Sequence, residues 1–376
     1  MPFLRAQASL FCALVATLAS ALDAANITVA TPPANITSPP VANLTAAPAT
    51  ANLTAAPAVA NVTASTPVTG DPAAVLARLG KRAARIHDPS SIVKCGAEYW
   101  IFYTGIGVPC YHSPDLVTWT RGPRVFNQPP SWVAQVVPAN TRGNFWAPDV
   151  IHLKDKYLLY YAASTFGKRI SGIGLATNPT LDPADKNFHW TDQGVVVQSS
   201  NEDDFNAIDP AVTRDADGNL WLAFGSYWSG IKLIQLDPAT GKRLAPNSPM
   251  YSLAHNHDIE ASYIYFHDGY YYLFVNWGVC CKGVNSTYNI RVGRGKKITG
   301  PYLDKTGVDL LQDGGTLFLG ANGNFIGPGS AAILADGGSS WFSCHFYDGT
   351  DQGRSYVAIR PLHWAADGWP FVDDPK

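Results

Sequence analysis

No long basic run interrupts this sequence, and 27 lysines and arginines nearly balance 29 aspartates and glutamates. Polyanion partners are bound through clustered cations, so nucleic acid and anionic membrane surfaces are excluded as primary partners. After the first twenty or so residues, no apolar stretch approaches the length of a membrane span. Neither Cys-x-x-Cys nor a His-rich spacing occurs, which removes the usual zinc frameworks. Helical periodicity is also scarce. What is abundant is aromatic: 17 Tyr, 16 Phe and 11 Trp stand among 33 Gly and 28 Pro, a composition of short strands joined by many turns. With 376 residues, 46% of them hydrophobic, the chain can bury a large core.

The N-terminus has a different character. Arg5, the apolar stretch Leu10 to Leu18 and the small residues Ala19-Ser20-Ala21 form the pattern of a secretory signal over residues 1–21. Residues 22–75 are low in complexity, with Asn-x-Thr at Asn26, Asn35, Asn43, Asn52 and Asn61, and "VANLTAAPA" is nearly duplicated by "TANLTAAPA". Too little apolar mass is present there to offset the entropy of ordering, so a disordered, glycosylated stalk is expected. Secretion follows, with surface or cell-wall association through the stalk as a further expectation. Cys12 leaves with the signal. Cys95 and Cys110 flank a predicted hairpin and could be bridged, whereas a bond between the adjacent Cys280 and Cys281 would close a strained eight-membered ring, and Cys344 is left over.

Internal repetition organises residues 76–376. Five segments share one plan of an acid or small residue, a short strand, a turn and an aromatic strand. They are "DPSSIVKCGAEYWIFYTG" from Asp88, "PDVIHLKDKYLLYYAAS" from Pro148, "DPAVTRDADGNLWLAFGS" from Asp209, "EASYIYFHDGYYYLFVNWG" from Glu260 and "GPGSAAILADGGSSWFSCHFYDG" from Gly327. The leading acids stand at 88, 149, 209 and 260, separated by 61, 60 and 51 residues. A unit of that size holds four strands, and the Asp-Gly pairs in "DADGN" and "FHDGY" are hairpin signals. The expectation is an all-β fold, a five-bladed β-propeller, in which matching positions of each blade meet around one axis. Asp-Pro pairs also form ordinary turns, but a turn needs no regular recurrence.

Carboxylates gathered in a pocket suit two chemistries, hard-metal binding and glycosidic hydrolysis. "RDADGN", from Arg214 to Asn219, resembles a calcium loop only faintly and lacks the distal Glu, so it reads as a hairpin turn. Hydrolysis needs one carboxylate as base and one carboxylic acid as proton donor, and a third acid nearby helps the donor keep its proton. Aromatic side chains that could carry sugar rings are close in sequence: Trp146, Phe166, Trp228 and Trp277.

The runs "HDPSSIV", "NFWAPDV", "YYAASTFGKRISGIGLATNPTLDP", "AIDPAV", "WLAFGSYWSGIKLIQLDPATGK", "YYYLFVNWGVCCKGVNSTYNIRVGRGKKITGPYLD" and "IRPLHWAADGWP" resemble the endo-1,5-α-L-arabinanases of glycoside hydrolase family 43, over about residues 80–375. The resemblance implies inverting hydrolysis of internal α-1,5-arabinofuranosidic bonds in arabinan, the side chain of pectin, by a monomer that needs no cofactor for its chemistry. It implies Asp88 as general base, Glu260 as general acid and Asp209 as the acid that tunes and orients the donor. It also implies substrate contacts along Asn206, Ala207 and Ile208 and along Ser226, Tyr227 and Trp228, with Trp146, Phe166 and Gly167 in other contact segments. Asp149 is expected to be structural or to hydrogen-bond substrate. An exo-acting arabinofuranosidase or xylosidase on the same scaffold, and a sugar-binding propeller that no longer turns over, are the alternatives.

Two positions depart from the family pattern. "GPGS" stands where Gly-Pro-Gly-His is usual, so Ser330 replaces a His associated with a central ion; a calcium or other ion in the channel is in doubt, with His257, His345 or water as the groups that could compensate. "EAS" replaces the common "EAP", which puts Ser262 just after the expected acid.

Overall fold

Five segments are largely buried on both faces: Glu98–Phe102, Lys156–Ala163, Leu220–Phe224, Tyr270–Trp277 and Ser339–Asp348. Alternate residues of a strand point to opposite faces, so a run of this kind is satisfied only between two packed layers. In the computed structural model, which describes residues 84–373, each of these strands lies inside its own antiparallel sheet. The signal and stalk expected over 1–21 and 22–75, and the first residues of the expected 76–376 domain, lie outside the described residues.

The first sheet is built from β1 (Val93–Cys95), β2 (Glu98–Phe102), β4 (Cys110–Ser113) and β5 (Thr120–Arg121); the short β3 (Gly105–Ile106) pairs instead with the second. The second continues through β6 (Asn144–Leu153), β7 (Lys156–Ala163), β8 (Ser171–Asn178) and β9 (Thr191–Ser199), after a six-residue helix, Ser131–Val136. The third is β10 (Ala211–Arg214), β11 (Leu220–Phe224), β12 (Ile231–Leu236) and β13 (Met250–Ala254). The fourth is β14 (Glu260–His267), β15 (Tyr270–Trp277), β16 (Asn289–Gly295) and β17 (Thr316–Leu319). The fifth is β18 (Phe325–Asp336), β19 (Ser339–Asp348) and β20 (Arg354–Pro361), followed by the small hairpin β21 (His363–Trp364) and β22 (Pro370–Phe371).

Five apolar clusters join these sheets into a ring. Along β7, Tyr157, Leu159 and Tyr161 pack toward blade one while Leu158 and Tyr160 pack toward blade three. Trp221 and Ala223 of β11 meet Leu273 and Val275 of β15, whose alternate residues Tyr272 and Phe274 meet Phe342 and Cys344 of β19. The fifth cluster closes the circle: Tyr99 and Ile101 of blade one pack with Trp341, Val357 and Ile359 of blade five. Ala84 joins this last cluster, and its carbonyl accepts the Val357 N–H at 3.0 Å, so the described N-terminal end extends blade five. Each large side chain buried in these interfaces contributes about 1.5–3 kcal/mol of hydrophobic stabilisation. The protein is a five-bladed β-propeller.

Backbone conformation fixes which positions of the blades correspond. Asp88, Ala147, Asp209, Ala261 and Ser330 have φ of 50, 36, 55, 51 and 59°, one such residue on the inner segment of each blade. Left-handed geometry is uncommon without glycine, and its fivefold recurrence marks the structural repeat. Strand pairing breaks at the same places, between Trp146 and Asp149, Glu260 and Tyr263, and Gly329 and Ala332. Asp88 and Asp209 are therefore equivalent, but Glu260 precedes the repeat position and Asp149 follows it by two. The expected equivalence of four leading acids is corrected to two.

The bridge considered between Cys95 and Cys110 is absent. Cys95 pairs opposite Glu98 and Cys110 opposite Phe102, on either side of β2 and at its two ends, beyond disulfide reach. All five cysteines among the described residues are free thiols, with the Cys280 and Cys281 sulfurs 2.8 Å apart. Residues Asp215–Asn219 form a side-chain-braced turn: Asp215 Oδ1 accepts the N–H groups of Asp217 and Asn219.

Candidate active site

A cleft of about 1240 Å³ opens at one end of the ring, and Asp88, Asp209 and Glu260 line it together. Of the other residues singled out from the sequence, Trp146, Phe166, Gly167, Asn206, Ile208, Ser226, Tyr227 and Trp228 line it as well. Two do not. The Ala207 side chain is fully buried in the core between blades two and three. Asp149 is 4% exposed, and its carboxylate accepts the Ser91 N–H from blade one and the Val212 N–H from blade three, both at 2.8 Å. That carboxylate ties three inner segments together.

Asp88 sits in a dense polar shell. Thr104 Oγ donates to Asp88 Oδ2 at 2.6 Å and itself accepts the Ala147 N–H, fixing blade one against blade two. Ser330 Oγ donates to the other oxygen at 3.3 Å. His87 Nδ1 lies 2.8 Å from Asp88 Oδ2, and His87 Nε2 lies 2.6 Å from the Tyr347 hydroxyl. Burial disfavours a charged imidazole at His87, but the charge and hydrogen bond of Asp88 outweigh it, with a smaller contribution from Cys281, and the pKa rises to about 10. Burial likewise works against ionisation of Asp88, and the His87 cation reverses it, holding the carboxyl below the usual carboxylate range. His345, fully buried, stays neutral with a pKa pushed down to about 3 by burial and by the His87 charge.

Glu260 has the opposite electrostatics. It is 7% exposed; Ser226 donates to Oε2 at 2.7 Å and Tyr288 to Oε1 at 2.5 Å. Burial raises its pKa; these two hydrogen bonds pull the other way, while the charges of Asp88 and Cys281 add to the rise. Asp209 is also raised, well above the carboxylate range, by burial and by the charges of Glu260 and Asp88, against one N–H from Ala261. One readily ionised acid thus faces two that resist ionisation.

The loop that delivers Ser226 depends on glycine. Gly225 has φ of 129°, and a Cβ there would stand 2.4 Å from the Gly230 carbonyl. Tyr227 N–H then donates to the Ile259 carbonyl at 2.7 Å, which sets the loop against the residue before Glu260. Exposed aromatics edge the cleft: Phe166 stands 4.9 Å from Trp146, and Arg169 lies over the Trp228 ring. His87, Thr104, Tyr288 and Tyr347 were not singled out from the sequence; only His87, adjacent to Asp88 in "HDP", carried a visible signal.

The donor set does not fit a resident cation. His87, Asp88 and His345 bring three ligand atoms within 4.8 Å of one another. Both nitrogens of His87 are engaged by Asp88 and Tyr347. His345 Nδ1 accepts the Asp88 N–H at 3.2 Å, which leaves the proton on Nε2. No imidazole lone pair remains for an ion, and hard cations take six or more oxygens.

Comparison with known proteins places this arrangement. The pattern of Glycosyl hydrolases family 43 matches residues 83–370. The chain is 38% identical to the extracellular exo-α-(1→5)-L-arabinofuranosidase ArbA of Cellvibrio japonicus, over 79% of this chain and 89% of the relative. It is 41% identical to the extracellular endo-α-(1→5)-L-arabinanase 1 of Bacillus subtilis, over 76% and 87%. Among solved structures, the Cellvibrio cellulosa α-L-arabinanase complexed with arabinohexaose aligns with a TM-score of 0.74 at 38% identity, covering 78% of this chain and 96% of that one. The GH43 endo-arabinanase of Bacillus licheniformis aligns with a TM-score of 0.71 at 42% identity, over 77% and 98%. By sequence and by fold, the chain belongs to glycosyl hydrolase family 43.

Proposed function

We propose that this protein is a secreted, monomeric arabinan hydrolase that cuts internal α-1,5-L-arabinofuranosidic bonds with inversion. The reading rests most on one observation: two carboxyls with opposite surroundings line the same cleft, Asp88 held below the usual carboxylate range beside His87 and Glu260 pushed upward by burial. Relatives named for action on α-(1→5)-linked arabinan or arabinofuranose support the substrate class, and the word extracellular in two of those names supports the location. No helix among the described residues is long and apolar enough to cross a membrane.

In this mechanism Asp88 takes a proton from water while the water oxygen bonds to the anomeric carbon. The glycosidic C–O bond breaks as Glu260 delivers its proton to the leaving oxygen. The two carboxyls of an inverting pair stand about 6.5–9.5 Å apart, leaving space for that water. Asp209, ionising less readily than an ordinary Asp, accompanies Glu260 and orients it. The cleft is larger than a pocket for one small molecule, and Phe166 (76% exposed) and Trp228 (39%) offer open platforms for further rings. Both features favour internal cleavage over release of a single terminal sugar.

Digestion of linear α-1,5-arabinan tests this. Mixed oligomers appearing first support endo cleavage, and arabinose alone from the outset supports the exo reading. Glu260→Gln should remove activity while leaving the fold intact; full activity in that variant would remove Glu260 from the mechanism.

A further inference from the structure

A second space, of about 30 Å³, adjoins the cleft, and residues from all five inner segments line it, which places it on the ring axis. Asp209, Ala261 and Ser330 border both spaces. Its polar lining comes from Ser91, Asp149, Asp209, Ser262 and Ser330. Ser262 is the informative member. It is 6% exposed, and its Oγ is buried with no hydrogen-bond partner among the described residues.

An unpaired buried hydroxyl is costly, so a partner is expected in the space it lines. One water needs roughly 10–15 Å³ of this kind of volume and two to four polar partners, so the space suits about two. A cation suits it less. Ser330, where an ion-associated His is usual, turns its hydroxyl to Asp88, no imidazole lines the space, and each Asp149 oxygen already accepts a backbone N–H.

We propose that the axial cavity is an internal water site rather than an ion site, and that Ser262 acts through that water as a positioning residue for Asp209. This rests on the reading of Asp209 and Glu260 as catalytic carboxyls. Asp209 is faced by Glu260, Asp88 and Cys281 and shares the cavity with Asp149. A water donating to Asp209 favours its ionised form. Without it, Asp209 keeps its proton to higher pH, less negative charge stands beside Glu260, and Glu260 loses its proton at lower pH.

The test compares the full chain with Ser262→Ala and Ser262→Thr. A high-resolution crystal structure of the wild type should show water density bonded to Ser262 Oγ; an empty cavity or an ion would overturn the proposal. Metal content after dialysis against EGTA should be near zero with kcat unchanged, and loss of one equivalent of metal together with activity would overturn it. Ser262→Ala should lower kcat on arabinan about threefold to tenfold with KM unchanged, and move the basic limb of the pH profile to lower pH. Ser262→Thr, which keeps the hydroxyl, should retain the wild-type profile. An alanine variant with wild-type kcat and limb, or a threonine variant that behaves like alanine, would refute the positioning role. A wild-type chain that leaves arabinan intact would overturn the parent reading instead, while density and metal content would still decide what fills the cavity.

Discussion

The Tyr288 hydroxyl donates to Glu260 Oε1 across 2.5 Å, from the segment "STYNI" leading into β16 to the first residue of β14. The bond steadies the carboxyl and favours its ionised form, opposing the burial that keeps the proton on. Tyr288→Phe should therefore raise the Glu260 pKa and move the basic limb of the kcat profile to higher pH. The maximal rate should fall about tenfold through lost orientation. A full pH–rate profile checks both; a limb that moves to lower pH would contradict this account of Glu260.

His87 governs the acid side. Its cation holds Asp88 ionised, so His87→Gln should raise the Asp88 pKa and shift the acid limb upward. Stability has its own pH window. The folded His87 pKa is raised to about 10, so its contribution is complete below the unfolded value of about 6.5 and lost as pH climbs through about 10. Asp88, lowered in the fold, contributes only above about pH 4. The Tm deficit of His87→Gln should be largest between about pH 4 and 6.5 and fade toward pH 10, as thermal melts across that range would record.

Asp149 separates structure from substrate contact. Removing its carboxylate leaves the Ser91 and Val212 N–H groups unpaired, so Asp149→Ala should cost about 2–4 kcal/mol of stability. KM of the folded fraction should not change. Burial raises the Asp149 pKa to about 6, so the stability that its protonated form contributes is present below about pH 4 and lost as pH rises through 6. The Tm deficit of Asp149→Asn should accordingly shrink from pH 4 to pH 7.

Phe166 tests the platforms. It is exposed at the cleft edge beside Trp146. Phe166→Ala should raise KM for long arabinan about threefold to tenfold while kcat holds, because a stacked ring contributes to binding rather than to the chemical step. Initial rates on polymer and on a short oligomer would separate the two.

Much of the fold could be read from the sequence, for reasons visible in single strands. "KYLLYYAA" and "LWLAF" have no polar face, so each had to lie between two layers, and the hairpin at Asp268-Gly269 takes positive φ at both residues as an Asp-Gly turn should. The register of the acids was less legible. A left-handed residue on each inner segment displaces the pairing of the residues after it, and nothing in the letters says that Ala147 rather than Asp149 matches Asp88. The supports of the site were hidden for a related reason. Thr104 lies beyond β2 and meets Asp88 through pairing within blade one, Tyr288 precedes β16 and meets Glu260 across blade four, and Tyr347, near the end of β19, reaches His87 only because the ring closes. The Cys95–Cys110 pairing failed because sequence nearness across a hairpin ignores the strand that lies between them.

The central claim is that Asp88 activates water on the face of the sugar opposite the bond that Glu260 protonates. Proton NMR of the first product released from linear α-1,5-arabinan, recorded before mutarotation, measures this directly. The account predicts that the new reducing end appears first in the β configuration. An initial α anomer would mean retention, and would contradict the roles given to both carboxyls.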